Sequence, residues 1–118
     1  MPDVDDWICD VKSQPGSAAI GMILGRQGIE RGSSRSGEPL TGMSLSAGST
    51  RFEEVLAEAG TWPGIFAVRG WVNEGELSVG DDIMWIVVAG DMREHVFEGL
   101  QRLASLIKTE VVTECELD

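Results

Sequence analysis

Two side chains in the stretch from residue 91 to residue 108 are of a type, and at a spacing, that suits chemistry on an anion. In VVAGDMREHVFEGL, residues 87–100, an apolar run passes through Gly90 and Asp91 into an amphipathic segment whose first turn carries Arg93. A helix that starts directly after a strand presents free backbone N–H groups and the positive end of its dipole, and a guanidinium there adds a bidentate donor for phosphate or carboxylate. Arg93 equally suits an exposed ion pair with Glu94 or Glu98, which would contribute at most ~1 kcal/mol. Lys108 closes the same amphipathic segment, where an ammonium offsets the helix dipole by roughly 0.3–1 kcal/mol and is also free to act on an anion. Met92 stands directly before Arg93, and His95, three residues on, shares roughly its face of the helix. His95 therefore faces whatever lies beside residue 92, or is simply a surface histidine touching Asp91 or Glu98. Cys115 lies between two glutamates, which disfavour its thiolate and argue for a structural thiol.

A second source of positive charge precedes these. From Gly25 to Phe52 the chain holds Arg26, Arg31, Arg35 and Arg51 against only Glu30 and Glu38, although the whole chain has a net charge of −11. Within that cationic island, GRQGIERGSSRSGEPLTG is rich in glycine and serine and reads as a long mobile loop, with residues 27–37 at its centre. It suits either a loop that closes on an anionic ligand or a flexible connection whose arginines only keep it soluble.

The 118 residues, 42% hydrophobic and 25% charged, suit one globular domain over 1–118 with its own core. The acidic balance excludes duplex nucleic acid as a partner, because such binding needs a basic face to displace counterions. The sequence begins with an acidic MPDVDD, and its longest uncharged apolar run, 83–89, falls far short of the roughly 18 residues of a membrane span. A cytoplasmic protein with no membrane association is expected. Cys9 and Cys115 have no CxxC spacing, so no metal site, no cofactor and no disulfide framework is expected.

The elements that must position these residues read as follows. Strands are expected over 6–12 and 18–24, separated by a turn at Gln14, Pro15 and Gly16, and over 40–47. A short helix is expected over 51–59, with Thr50 and Glu53 as a capping box and Phe52, Val55, Leu56 and Ala59 on its apolar face. Strands follow over 65–72 and 82–89, the second apolar enough to be central. A long helix then runs from Asp91 to Lys108, capped by Asp91 with Glu94 and buried along Val96, Leu100, Leu103 and Ile107. A last strand is expected over 110–117. Strands clustered before and between helices indicate an α+β fold with a mixed or antiparallel sheet and one short and one long helix, rather than repeated βαβ units.

The run GELSVGDDIMWIVVAGDMREHVFEGLQRLASLIKTE resembles molybdopterin synthase large subunits, in which a G-x-L-x-x-G-D/E hairpin leads to an apolar strand, a His-Arg pair and a helix ending in lysine. Upstream, AAIGMILGR is similar to the family's early strand ending in an arginine before a glycine-rich loop, and LTGMSLS to its next strand. The resemblance spans residues 16–117 and implies an α/β-hammerhead fold and a homodimer of large subunits. It also implies a ubiquitin-like small subunit whose C-terminal Gly-Gly tail, as a thiocarboxylate, delivers sulfur to cyclic pyranopterin monophosphate. On it, Arg26 and Arg93 bind substrate oxygens and Lys108 acts catalytically at the transfer centre. The family's histidine falls at Met92 and its second lysine at Cys115, which makes both substrate-binding candidates while removing the usual chemistry, since a thioether neither donates nor titrates near neutrality. The resemblance thus leaves three readings: an active synthase, a non-catalytic homologue binding the Gly-Gly tail or the pterin phosphate, and an unrelated small-anion-binding module.

Overall fold

The computed structural model describes residues 2–117 as α1 (Val4–Lys12), a 3₁₀ turn (Ser17–Ala19), β1 (Met22–Ile29), β2 (Gly42–Ala47), α2 (Ser49–Ala59), β3 (Ile65–Val72), β4 (Gly75–Ser78), β5 (Asp82–Gly90), α3 (Arg93–Leu106), a π-helical turn (Ile107–Val111) and β6 (Val112–Leu117). The α+β class holds, with a third helix added and every strand pairing antiparallel.

The first correction is at the start of the chain, where residues 6–12 form helix and not strand. Val4, Trp7, Ile8 and Val11 recur at i, i+3, i+4 and i+7, the helical period. The Asp3 carboxylate accepts the Asp6 N–H at 3.1 Å as N-cap, Asp5 and Asp6 follow in the first turn, and Lys12 sits in the last. Val11 is fully buried, and Arg69 Nη2 of β3 meets Asp10 Oδ2 at 2.7 Å, tying α1 to the sheet.

The expected strand over 18–24 is displaced: Ser17–Ala19 is a 3₁₀ turn, and β1 continues through the glycines assigned to the loop as far as Ile29. Gly25 and Gly28 pair with Val87 and Met84 of β5, whose larger side chains lie beside the positions where a Cβ would stand. The loop proper covers 30–41 and is internally bonded, Ser34 N donating to Glu38 O at 2.8 Å and Leu40 N to Gly32 O at 3.0 Å.

The helices begin otherwise than expected. Gly48 is the N-cap of α2 and no side chain caps it, so the Thr50–Glu53 box is not made. Met92 is the N-cap of α3, and Asp91 Oδ1 accepts from Met92 N at 2.6 Å instead of capping the first turn. At the other end α3 stops at Leu106, and Lys108 falls in the π-helical turn before β6 begins at Val112.

Two three-stranded sheets result, ordered β1-β5-β3 and β4-β2-β6. Ile86 and Val88 of the first sheet pack with Val55 of α2, Val96 and Leu103 of α3 and Ile107 in the main core. Fully burying such side chains contributes about 1.5–3 kcal/mol each. Met43, Leu45 and Leu77 form a smaller core in the second sheet, and Val72, Ile83 and Val112 pack against both. The turn joining β4 to β5 has Gly80 at φ 93°, which L side chains rarely adopt, and it clamps the end of β1: Gly80 N donates to Glu30 O at 2.8 Å and Glu30 N to Asp81 O at 2.9 Å. No helix among the described residues is long and apolar enough to cross a membrane.

Candidate functional site

A cavity of about 730 Å³ opens between the two sheets, lined by Arg26 of β1, Met43 of β2, Ile83 and Met84 of β5, Glu114 and Glu116 of β6, Lys108 and much of the loop from Glu30 to Leu40. An adjoining hollow of about 480 Å³ runs along α3 past Phe97, Leu100, Gln101 and Ser105. Arg26, Arg35, Ala104 and Lys108 line both, so these four residues stand where the two spaces meet. Topology explains the convergence: antiparallel pairing with β5 directs β1 toward the second sheet, while the π-helical turn swings the end of the α3 segment back to the same place.

Three of the four arginines of the cationic island, Arg26, Arg31 and Arg35, line the larger cavity. Arg51 does not; its guanidinium pairs with Glu110 at 2.5 Å and Glu54 at 3.4 Å. Arg26, Arg35 and Lys108 make no ion pair among the described residues, whereas Arg51, Arg69 and Arg93 each do. Glu30, Glu38, Glu114 and Glu116 also line the larger cavity, whereas the hollow along α3 is lined by Arg26, Arg35 and Lys108 and by no carboxylate of the described residues, so positive charge is concentrated where the two spaces meet.

The remaining candidates lie elsewhere in the monomer. Arg93 is 78% exposed and its Nε meets Glu94 Oε1 at 3.3 Å, outside both hollows. Met92 is 52% exposed at the N-cap of α3 and lines neither space. Cys115 is exposed and pairs with Ser44, while its neighbours Glu114 and Glu116 line the cavity; alternation along β6 turns the thiol to the opposite face. His95 Nδ1 lies 2.7 Å from Asp91 Oδ1, with Gly64, at φ 77°, packed so closely on the ring that a Cβ there would collide with it. The hydrogen bond to Asp91 raises the His95 pKa above its ordinary value, and the same bond holds the Asp91 carboxyl below its own. The bland reading of His95 is the observed one, and it does not line the cavity.

Sequence reasoning missed Glu30. It is 4% exposed, lines the cavity, and its Oε2 has no hydrogen-bond partner. Burial above all, then the Glu114 and Glu116 carboxylates, push its pKa up, against a smaller opposing effect of Arg31. Its position inside the arginine cluster was visible, but nothing in the linear pattern marks it as buried. No group of three or more potential metal ligands lies together among the described residues.

The fold has relatives among solved structures. Molybdopterin synthase from Staphylococcus aureus matches with a TM-score of 0.71 at 18% identity, over 84% of this chain and 75% of that one. The MoaE protein from Burkholderia ambifaria MC40-6 matches with a TM-score of 0.73 at 21% identity, over 99% of this chain and 83% of that one. A complex of subunits 1 and 2 of the molybdopterin-converting factor from Helicobacter pylori 26695 matches with a TM-score of 0.68 at 16% identity, over 98% of this chain and 78% of that one. Among curated proteins, none matches the sequence. The family model described as MoaE protein matches residues 3–110, nearly the whole chain, and the chain belongs to that family, the molybdopterin synthase large subunits.

Proposed function

We propose that this chain is the large subunit of a molybdopterin synthase, carrying sulfur from the thiocarboxylated Gly-Gly tail of a ubiquitin-like small subunit to cyclic pyranopterin monophosphate. Family membership supports the coarser part of this reading, molybdenum cofactor biosynthesis. The observation that carries the rest is the convergence of Arg26, Arg35 and Lys108, unpaired, on one cavity of a strongly acidic chain.

Each residue has a task that its position suits. Arg26 and Arg35 hold the substrate phosphate at the mouth shared by the two hollows, where a guanidinium fork matches phosphate oxygens. The hollow along α3, with Phe97, Gln101 and Ser105 at four-residue spacing on one face of the helix, suits an extended tail without side chains. Its inner end is Lys108, whose ammonium would stand beside the thiocarboxylate as sulfur leaves and offset the negative charge developing on the acyl oxygen. The Helicobacter pylori relative is described as a complex of two subunits, which supports a small-subunit partner here. Arg93 lies outside the cavity of its own chain, so it can join Arg26 on one substrate only when supplied by a second copy, which fits a homodimer.

Lys108→Ala is expected to reduce conversion of cyclic pyranopterin monophosphate by at least 100-fold, the scale of losing one electrostatic stabiliser of a transition state. The assay is reconstituted sulfur transfer with thiocarboxylated small subunit, and full activity in the variant overturns the assignment of Lys108. Met92 in the place of the family's histidine favours the second reading, a homologue that binds without turnover. Substrate binding by titration calorimetry together with no sulfur transfer by the unaltered protein would establish that reading instead.

A further inference from the structure

Among the described residues that line the cavity, Glu30 is the charged side chain that is buried. Its backbone is fixed from both sides by the turn joining β4 to β5, Glu30 N to Asp81 O at 2.9 Å and Gly80 N to Glu30 O at 2.8 Å, so the side chain is delivered to one place. It is 4% exposed and Oε2 is unpartnered, although three arginines line the same cavity. A buried carboxylate without a partner costs stability. Arg31 offsets this only in part: its charge lowers the Glu30 pKa less than burial raises it, and its Nε donates to Ser33 O at 3.0 Å. The cavity, at about 730 Å³, lies within the range of small-molecule sites and so has room for a bicyclic ring beside a phosphate.

We propose that Glu30 is the specificity residue of this cavity, its carboxylate accepting two parallel N–H bonds from the 2-amino-4-oxopyrimidine edge of the ligand. An ionised carboxylate is acceptor-only and takes two donors side by side, as it does from a guanidinium. A 2-amino-4-oxopyrimidine offers that pattern through its ring N3–H and its exocyclic amine. Arg26 and Arg35 then serve the phosphate end of the same molecule, and the two ends are read by opposite charges. Burial and the neighbouring Glu114 and Glu116 disfavour the Glu30 anion, and a two-donor edge offsets that cost by bonding to both oxygens of the ionised form. This inference rests on the pterin reading above, but guanine carries the same edge, and the experiment separates the two sources.

The test is equilibrium binding, under anaerobic conditions, of cyclic pyranopterin monophosphate and of GMP to the intact chain, followed by displacement of bound pterin phosphate with free pterin and with lumazine. Lumazine has an oxo group where pterin has the amine. The unaltered protein is expected to prefer pterin over lumazine by at least tenfold. Glu30→Gln, which keeps the shape but presents one donor and one acceptor, should abolish or reverse that preference. Glu30→Asp should keep the preference at weaker affinity, and Arg26→Ala should weaken the phosphate-bearing ligand without changing the pterin-to-lumazine ratio. An unchanged ratio in a Glu30→Gln protein with native near-ultraviolet circular dichroism overturns the role of Glu30 and leaves the pterin reading intact. Failure of the unaltered protein to bind either phosphate overturns both. Binding of GMP alone, lost in Glu30→Gln, supports the role of Glu30 and overturns the pterin reading.

Discussion

His95 and Asp91 face each other across the first turn of α3, Nδ1 2.7 Å from Oδ1, and each moves the other's proton equilibrium. The His95 pKa is raised above 6.5, so its contribution is complete below that value and is lost as pH rises through the folded pKa. The Asp91 pKa is lowered below 3.8, so its contribution is present above that value and is lost as pH falls through the folded pKa. The pair is therefore fully formed between these two ordinary values. His95→Gln should cost most stability near pH 5–6 and progressively less above neutrality, read from urea midpoints across that range. A cost that grows with pH would show that the histidine acts as a neutral packing group against Gly64. At this scale, Arg26 and Lys108 were legible because the cationic island and the family resemblance single them out in an acidic chain, and both line the cavity. Glu30 was not, because a turn some fifty residues along the chain, at Gly80 and Asp81, fixes it in place. Arg93 carried two readings in sequence, and in the monomer its exposed pair with Glu94 prevails.

Elements that pack one continuous apolar face were read well, and those defined by glycines or by local caps were not. β3 and β5 coincide closely with the runs 65–72 and 82–89, because buried, β-branched segments specify central strands. α1 was misread although Val4, Trp7, Ile8 and Val11 carry a helical period, since the segment is short and its Asp3 cap lies upstream of the expected strand. β1 was cut short at Gly25, where local preference says loop and pairing with β5 says strand. The widened turn after α3 could not be anticipated from periodicity, because Ile107 continues the buried stripe of α3 without a break. That turn holds Lys108 in place through Ile107, which is fully buried beside Leu103 and Val111. Ile107→Ala should therefore lower unfolding free energy by about 2–5 kcal/mol in chemical denaturation, and Ile107→Val by about 0.5–1.5 kcal/mol. Because the same side chain fixes the turn, sulfur transfer should fall in Ile107→Ala even at temperatures where the protein remains folded. Activity held at the level of the unaltered protein would show that the turn is positioned by β6 instead.

At the scale of the whole molecule, Arg26, Arg35 and Lys108 stand together where the cavity between the sheets meets a hollow that no carboxylate of the described residues lines, in a chain whose net charge is −11, so an anionic guest is drawn to that junction. The geometry leaves Arg93 on another surface of the same chain, and this turns the question of oligomeric state into one of catalysis. If each site takes Lys108 from one copy and Arg93 from another, two inactive variants can repair each other. In a mixed dimer of Lys108→Ala and Arg93→Ala, one site has lost both groups and the other has kept both. Random assortment in a two-fold dimer makes half of the dimers mixed, so the mixture should regain about a quarter of the unaltered activity. If both residues serve a site within one chain, every site in the mixture lacks one of them and no activity returns. Refolding the two variants together and measuring sulfur transfer against each alone decides between these arrangements. A mixture no more active than its components would remove Arg93 from the shared site, leaving Arg26, Arg35 and Lys108 to hold the anion within a single chain.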